Sequence, residues 1–293
     1  MKLEYAVITA ARDEAANLPR LAACLAAQTL LPREWIIVEN GSSDGTLEVA
    51  RRLAGEQPWI RILELPGTPS ADRGAPVVRA LHAGIAVIAK PIPIVINVDA
   101  DISMEPDYFE RLVGEFEADS TLGIASGGLL ELDRGEWRRR HLTGTTVVGA
   151  SRAYRWECLQ DVLPLEERVG WDGIDEFRAN TRGWTTKLFD EISVSHHRRE
   201  GERDGPTWQA RWNQGRAAWY MGYRAWYLLA RSLWHMRREP GAFGMVLGYS
   251  AAALQREPQN PDLLSRAYLR RQQSLRNLKL RAREATGRRE PAA

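Results

Sequence analysis

Short apolar runs alternate with helix-like segments over about the first 120 residues of the chain. An apolar run of this kind, bounded by turn residues, is typical of a buried strand. The pattern predicts four strands, at Tyr5–Thr9, Trp35–Val38, Ile60–Leu63 and Ile94–Val98. It predicts a helix after each strand, near residues 14–28, 46–53, 76–89 and 106–116. Strands that alternate with helices form right-handed crossovers and a parallel sheet that is covered on both faces.

The pattern is less regular after residue 128. It predicts a strand at 145–149 and helices near 153–160 and 172–182. From residue 206 the chain is predicted to be helical to about 237, with further helices near 243–255 and 261–284. Proline and glycine residues between these segments mark the breaks. We therefore expect an α/β body followed by a helical extension.

Polar segments follow three of the predicted strands, at Thr9–Asn17, Glu39–Thr46 and Asp99–Asp101. In a parallel sheet, ligands bind outside the carboxyl ends of the strands. Asp99 and Asp101 would point to the same side, and carboxylates are the ligands that Mg²⁺ prefers together with substrate phosphates. The pattern therefore indicates a cation bound next to an anionic ligand. Each segment taken alone also fits an ordinary turn or helix start.

Composition adds the broad class of protein. Apolar residues make up 44% of the 293 and charged residues 27%, as in an ordinary soluble protein. Cys24 and Cys158 do not form a disulfide framework, and no signal peptide is recognised, so a cytoplasmic location is expected. The longest apolar stretch, near residues 83–98, is interrupted by a lysine and two prolines and is not expected to span a bilayer.

The extension differs from the body in charge. Residues from Arg198 onward contain 19 Lys/Arg and 8 Asp/Glu, whereas the preceding residues contain 21 and 30. One helical stripe is predicted to contain Trp208, Trp212, Trp219, Trp226, Trp234, Tyr220, Tyr223 and Tyr227. Either the stripe packs on the body, or residues 206–237 lie on the inner face of a membrane with anionic lipid. No nucleic-acid motif is present, so no nucleic-acid partner is expected.

Four ordered segments carry a family resemblance. They are Thr9…Arg12-Asp-Glu…Asn17, Val38-Glu-Asn-Gly-Ser-Ser-Asp-Gly-Thr46, Arg73-Gly74…Gly84 and Val98-Asp-Ala-Asp101. Together they resemble the nucleotide-sugar half of a family 2 glycosyltransferase with the GT-A fold. The resemblance implies a Rossmann-like, mostly parallel central sheet flanked by helices, a UDP- or GDP-sugar donor, and Mn²⁺ or Mg²⁺. The expected domains are a catalytic domain at 1–200, with nucleotide-sugar binding in 1–130 and the acceptor side in 131–200, and a basic helical extension at 201–293.

The same resemblance implies roles for individual residues. Thr9 and Glu14 would border the base and ribose, and Asp99 would touch the ribose. Glu39 would contact the base, where the family usually has Asp. The donor-binding candidates are Thr9, Ala10, Arg12, Glu14, Glu39, Asn40, Arg73, Asp99, Ala100 and Asp101. Arg73 and Arg79 would assist at the phosphates, or else belong to a solvated helix face.

Residues 170–184 resemble the acidic motif on the acceptor side of the family. Asp172 fits the register, with Arg178 six residues on and Gly183 eleven residues on, although Trp171 stands where the family more often has Glu. Asp172 is the predicted base that takes the proton from the attacking hydroxyl, and Asp175 is the reserve. The alternative is that both are simply acids at a helix start, because residues three apart share a helix face.

His196 and His197 follow an apolar stretch, where enzymes of this fold often place a third metal ligand. Alternation from Val194 favours His196 as the ligand beside Asp101. A neutral imidazole is a suitable ligand for Mn²⁺. The alternative is that the pair is ordinary surface or core histidine.

The predicted function is a metal-dependent, inverting transfer of a sugar from a nucleotide donor to a hydroxyl of a saccharide or lipid-linked acceptor, in polysaccharide or glycoconjugate synthesis. One alternative is a sugar-phosphate nucleotidyltransferase. Such an enzyme would have a glycine-rich basic loop after the first strand, where this chain has Thr9-Ala-Ala-Arg-Asp-Glu. The other alternative is a non-catalytic protein that binds a nucleotide-sugar.

Overall fold

A computed structural model describes residues 3–67, 74–133, 135–140, 147–198, 207–237 and 239–277. The strands in these residues are β1 (Tyr5–Ala11), β2 (Glu34–Asn40), β3 (Ile60–Leu65), β4 (Ile94–Val98), β5 (Ile102–Met104), β6 (Leu122–Asp133), β7 (Glu136–Arg139), β8 (Ser151–Arg155) and β9 (Thr185–His196). They form one sheet in the order β3-β2-β1-β4-β8-β6-β9-β5, with β7 paired to β6.

The helices lie on both sides of this sheet and continue into the extension. They are α1 (Leu18–Ala26), α2 (Thr46–Glu56), α3 (Gly74–Val87), α4 (Tyr108–Ala118), α5 (Trp156–Val162), α6 (Trp171–Thr181), α7 (Thr207–Met221), α8 (Ala225–Met236), α9 (Gly244–Leu254) and α10 (Leu263–Gln272). Short 3₁₀ turns occur at Pro240–Phe243 and Leu275–Asn277. Among the described residues, none of the helices combines the length and apolar character that crossing a bilayer requires.

The four strands predicted from the amino-terminal half, β1 to β4, pair with one another in parallel. β1 pairs in parallel with β2 and β4, and β2 pairs in parallel with β3. Strand β2 is buried on both faces: Trp35 and Ile37 belong to one apolar cluster, and Ile36 and Val38 belong to the other. This is the reason that β2 reads as a continuous apolar run.

The second half of the sheet is mixed, and the sequence prediction failed for part of it. A helix was expected to begin at residue 153, but residues to Arg155 form β8, which pairs antiparallel with β4 and delays the helix to Trp156. The predicted strand at 145–149 is also wrong where it can be judged, because residues 147–149 are outside any strand. Residues 145 and 146 lie outside the described residues. The long strands β6 and β9 were missed, since Gly127-Gly128 interrupts the apolar pattern of β6.

The single aromatic stripe predicted for the extension is wrong. Gly222 has a positive φ of 81° and ends α7, so the tryptophans are divided between two helices. Trp208 and Trp234 are 51% and 42% exposed. Other residues of the extension contact the body: the Tyr220 hydroxyl donates to Glu166 at 3.0 Å. Within the predicted helix at 261–284, α10 ends at Gln272 and a 3₁₀ turn follows at Leu275–Asn277. Residues 278–284 lie outside the described residues.

Candidate active site

The end of β4 is fixed by a backbone turn at Gly149–Ala150. The Asn97 amide donates to the Gly149 carbonyl at 2.8 Å, and the Asp99 N–H donates to the Ala150 carbonyl at 2.9 Å. Asp99 and Asp101 lie in the short link between β4 and β5. The turn therefore holds the backbone of the Asp-X-Asp segment at the carboxyl end of the parallel strands.

Three side chains form a candidate metal centre. Asp99, Asp101 and His196 each present an oxygen or nitrogen, and these atoms all lie within 4.8 Å of one another. Antiparallel pairing of β5 with β9 places Ile102 opposite His196 and so brings His196 to Asp101, with 3.1 Å between Nε2 and Oδ1.

The geometry of this cluster fits a cation. Neighbouring ligands of an octahedral ion with bonds of about 2.1 Å lie about 3 Å apart, and the 3.1 Å hydrogen bond between His196 Nε2 and Asp101 Oδ1 is compatible with that spacing. The buried Nδ1 of His196 has no hydrogen-bond partner among the described residues. The Asp101 carboxylate and the His196 imidazole are ligand types that suit Mn²⁺, and Asp99 lies close enough to contact the same bound ligand.

His197 lies outside this cluster. Its Nε2 is 2.7 Å from the Ser103 hydroxyl, and its ring meets Trp137 edge to face. The His197 backbone N–H donates to the Asp101 carbonyl at 2.9 Å, but only the ring of His196 reaches the two aspartate carboxylates.

The pKa values of Asp99, Asp101 and His196 are shifted by burial and by the charges that these groups place on one another. Burial, and then the neighbouring Asp101 carboxylate, raise the pKa of Asp99 to about 6. Burial alone would raise the pKa of Asp101 too, but the hydrogen bond with His196 and the charges of His196 and Arg198 outweigh it and lower that pKa. Burial opposes a charge on His196, but Asp101 and Asp99 overcome it and raise its pKa.

Arg198 joins the candidate metal centre to the loop after β1, a role that its sequence context does not predict. Its guanidinium donates to both carboxylate oxygens of Glu14, at 3.0 and 3.2 Å, and lies 3.1 Å from Asp101. Glu14 is buried, and its own N–H donates to the Thr46 hydroxyl at 2.7 Å. The pairing connects residues 184 positions apart, so local patterns in the sequence contain no signal for it.

The nucleotide-side candidates differ in how accessible they are. The Glu39 carboxylate is buried at the end of β2 and accepts the Ser42 N–H at 2.6 Å. Asp13 accepts the Ser43 N–H at 2.7 Å, which ties the loop after β1 to the loop after β2. Thr9 is fully buried and its hydroxyl accepts from the Trp35 indole at 2.9 Å, so this side chain belongs to the core.

The remaining donor-binding candidates lie near the carboxyl ends of the parallel strands or outside the described residues. Ala10 and Ala100 are beside the same strand ends, and the Asn40 amide donates to the Pro76 carbonyl at 3.4 Å. Arg12 is exposed, and Arg79 pairs with Glu167 at 2.7 Å. Arg73 lies outside the described residues.

The Asp172 carboxylate lies next to the turn at Gly149–Ala150. Gly170, with a φ of +85°, precedes α6, and Asp172 stands in the first turn of that helix. A Cβ placed on Gly149 would lie 3.6 Å from the Asp172 carboxylate. Asp172 is half-buried. The candidate base therefore faces the same turn that holds Asp99.

Asp175 has a different environment. It is buried, receives a hydrogen bond from Arg152 at 2.6 Å, and also bonds the Tyr154 hydroxyl. Arg152 is itself fully buried on β8 and donates to the Asp172 carbonyl at 2.7 Å. The Asp175 carboxylate thus holds the arginine that supports the backbone of Asp172.

Glu176 completes this buried network with an excess of negative charge. Its Oε1 accepts the Val147 N–H at 2.6 Å and lies 3.4 Å from Arg152. Burial is the main cause that raises the pKa of Glu176 to about 8 and that of Asp175 to about 6, with Arg152 acting in the opposite direction. Two carboxylates beside one guanidinium favour retention of one proton at neutral pH.

We expect the stability of the protein to depend on the Glu176 proton. Between pH 4.5 and 8 the folded state retains this proton whereas the unfolded state has lost it, so stability falls as pH rises through that window. Glu176→Gln cannot ionise and keeps the acceptor for Val147. Urea unfolding should therefore show the native protein losing stability relative to Glu176→Gln between pH 5 and 8.

Glu64→Gln is the matched control, because Glu64 is exposed and forms a surface pair with Arg51 at 2.7 Å. Its pH profile should parallel that of the native protein. Parallel profiles for Glu176→Gln as well would mean that Arg152 keeps Glu176 ionised, against the expectation.

Comparison with known proteins gives this arrangement a family. The model of glycosyl transferase family 2 matches residues 6–157. The succinoglycan biosynthesis protein ExoA of Rhizobium meliloti is 38% identical over 85 residues, which are 29% of this chain and 24% of that protein. An uncharacterized glycosyltransferase of Mycobacterium bovis is 29% identical over 182 residues, which are 57% of this chain and 74% of that protein. The chain thus spans about a quarter of the length of the first of these relatives.

A solved structure agrees with the fold. A mannosyltransferase from Pyrobaculum calidifontis, in complex with GDP-Man and Mn²⁺, superposes with a TM-score of 0.60 at 16% identity, over 97% of this chain and 85% of that one. The predicted GT-A fold class with a helical extension is confirmed. Because the family model matches more than half of its residues, the chain belongs to glycosyl transferase family 2.

Proposed function

We propose that the protein is a metal-dependent, inverting glycosyltransferase that moves a sugar from a nucleotide-sugar donor to a hydroxyl acceptor. The observation that carries the proposal is the cluster of Asp99, Asp101 and His196 at the carboxyl end of the parallel strands, with Asp172 beside the same turn. Ligands bind at this edge of α/β sheets. Membership of the family supports the reaction class.

The donor would be held between the loops after β1 and β2 and the metal centre. Asp101 and His196 are the proposed metal ligands, and Asp99 is the proposed ribose contact. Glu39 remains the proposed contact to a base N–H. A bound Mn²⁺ or Mg²⁺ would supply the Lewis acid that stabilises the departing diphosphate. The GDP-Man and Mn²⁺ complex of the solved mannosyltransferase supports this assignment, with UDP-sugars as the other donor class.

Asp172 is the proposed base. Inversion requires a carboxylate on the face of the sugar opposite the leaving nucleotide, where it takes the proton from the attacking hydroxyl. The half-buried Asp172 carboxylate next to Gly149 is accessible for this role. The buried Asp175, predicted as the reserve, is better suited to hold Arg152 in place.

The extension has features of a surface for anionic lipid. Leu229, Leu233 and Trp234 are exposed on α8, close to Arg231 and Arg237. We propose a catalytic domain at 1–200 and an extension at 201–293, and that the extension contacts the cytoplasmic face of a membrane. The acceptor would be a saccharide or a lipid-linked saccharide, in glycoconjugate or polysaccharide synthesis. Sedimentation with phosphatidylglycerol vesicles tests the contact, and equal sedimentation with phosphatidylcholine vesicles contradicts it.

Thermal melting with nucleotides tests the donor site directly. A ligand that binds only the folded state raises stability by RT ln(1 + [L]/Kd). UDP, GDP and their sugars should raise the melting temperature in the presence of Mn²⁺ and less so with EDTA. If no nucleotide and no metal shifts melting, the donor site is refuted. Binding without measurable transfer to any acceptor would instead favour the non-catalytic alternative.

A further inference from the structure

A cavity of about 390 Å³ separates one face of α6 from helices α7, α8 and α10 of the extension. Its volume is within the range of small-molecule sites. The α6 residues that line it include Asp172, Glu176 and Asn180, which share one helix face because they are four residues apart, and Phe177, which lies three residues before Asn180. The candidate base therefore stands at one end of the cavity, in the first turn of α6.

The walls combine aromatic rings with amide groups. The rings of Phe177 and Tyr268 lie 6.1 Å apart, and those of Tyr223 and Tyr227 also lie 6.1 Å apart. All four are partly exposed and line the cavity. A sugar ring has an apolar face of C–H groups and an edge of hydroxyls, and a lining of rings and amides matches both.

One buried amide in this lining has an unused donor. Gln273 is 3% exposed, and its Oε1 accepts the Arg224 N–H at 2.8 Å. Its Nε2 is buried and has no hydrogen-bond partner among the described residues. Buried polar groups are nearly always hydrogen-bonded, so such a donor beside a cavity indicates a ligand that accepts the bond. A sugar hydroxyl or ring oxygen has this chemistry.

We propose that this cavity, here called the acceptor cavity, binds a sugar ring of the acceptor. The inference rests on the proposed glycosyl transfer. Tyr268 and Phe177 would stack on the C–H face, and Gln273 would donate to a ring oxygen or hydroxyl. The neighbouring hydroxyl of the acceptor would be directed along α6 to Asp172, which meets the donor side at Gly149. Specificity for the acceptor would thus depend on the extension, which lies outside the residues matched by the family model.

Saturation-transfer NMR with soluble glycosides tests the acceptor cavity. The probes are the methyl glycosides of glucose, galactose, mannose and N-acetylglucosamine, together with lactose and maltose. At least one should bind the native protein through its C–H protons. Tyr268→Ala and Gln273→Glu should each weaken that binding at least about tenfold. Gln273→Glu keeps an oxygen acceptor for the Arg224 N–H and replaces the unused donor with a carboxylate oxygen, which cannot donate.

Two control variants localise the binding. Phe243→Ala removes an exposed ring of the extension outside the cavity, and Asp101→Asn alters the donor site, so both should bind the glycosides like the native protein. If Tyr268→Ala fails to fold, Phe177→Leu takes its place. Failure of every probe to bind the native protein, or binding that neither Tyr268→Ala nor Gln273→Glu weakens, overturns the inference.

Melting with UDP and GDP separates this inference from the proposed function. Nucleotide binding without glycoside binding would refute the proposed role of the acceptor cavity and would still agree with the proposed donor site. Glycoside binding at the cavity without any effect of nucleotides would refute the transferase instead.

Discussion

Asp172→Asn should lower kcat for sugar transfer about 10²–10⁴-fold, the usual contribution of a positioned general base. Asparagine has nearly the same shape and cannot accept the proton from the attacking hydroxyl. The backbone carbonyl that receives the Arg152 hydrogen bond is unchanged, so the fold around α6 should persist. Donor binding should also persist, because the proposed metal ligands lie in the link between β4 and β5 and at the end of β9.

Initial rates of nucleotide release measure kcat, and nucleotide-induced melting shifts measure donor binding. Glu167→Gln is a matched control, since Glu167 lies shortly before α6 and its ion pair among the described residues is the exposed one with Arg79. It should transfer at the native rate. Transfer by Asp172→Asn at the native rate would remove Asp172 from the mechanism.

Asp101→Asn should abolish the effect of Mn²⁺ on melting and lower transfer at least about 100-fold, because a metal supplies several kcal/mol of charge stabilisation in reactions of this kind. The substitution keeps the size of the side chain and removes the charge that His196 and Arg198 approach. The defect should remain at Mn²⁺ concentrations that saturate the native protein.

Calorimetric titration with Mn²⁺ checks this expectation without reference to catalysis. Asp107→Asn provides the control, because Asp107 is an exposed carboxylate just before α4 with a surface pair to Arg111 at 3.7 Å. Native-like Mn²⁺ affinity in Asp101→Asn would refute the assignment of Asp101 as a ligand.

The amino-terminal half could be predicted from the sequence because its signals are local. β1 to β4 are short apolar runs, and each is followed by a helix that begins within a few residues of the predicted position. The second half could not, because its strands depend on distant partners. Ser151–Arg155 is a strand because β4 and β6 lie on either side of it, a condition that no local pattern contains.

The candidate site follows the same division. Alternation from Val194 favoured His196 over His197, and the structure brings the His196 ring to the Asp101 carboxylate; its role as a metal ligand stays a prediction. The roles of Arg198 and Arg152 could not be foreseen, since each pairs with carboxylates far away in the chain. Arginine side chains are also seldom fully buried, so the sequence alone favours an exposed position for Arg152.

The turn at Gly149–Ala150 has a consequence for redirecting the specificity of this protein. Its backbone bridges the link after β4, which contains Asp99, and the neighbourhood of Asp172, so the distance between the proposed donor site and the proposed base would be set by sheet register. The loops that would read the base, and the extension helices around the acceptor cavity, can then be exchanged or evolved as separate modules. An inserted residue within the turn would change the reaction distance for every donor and acceptor at once.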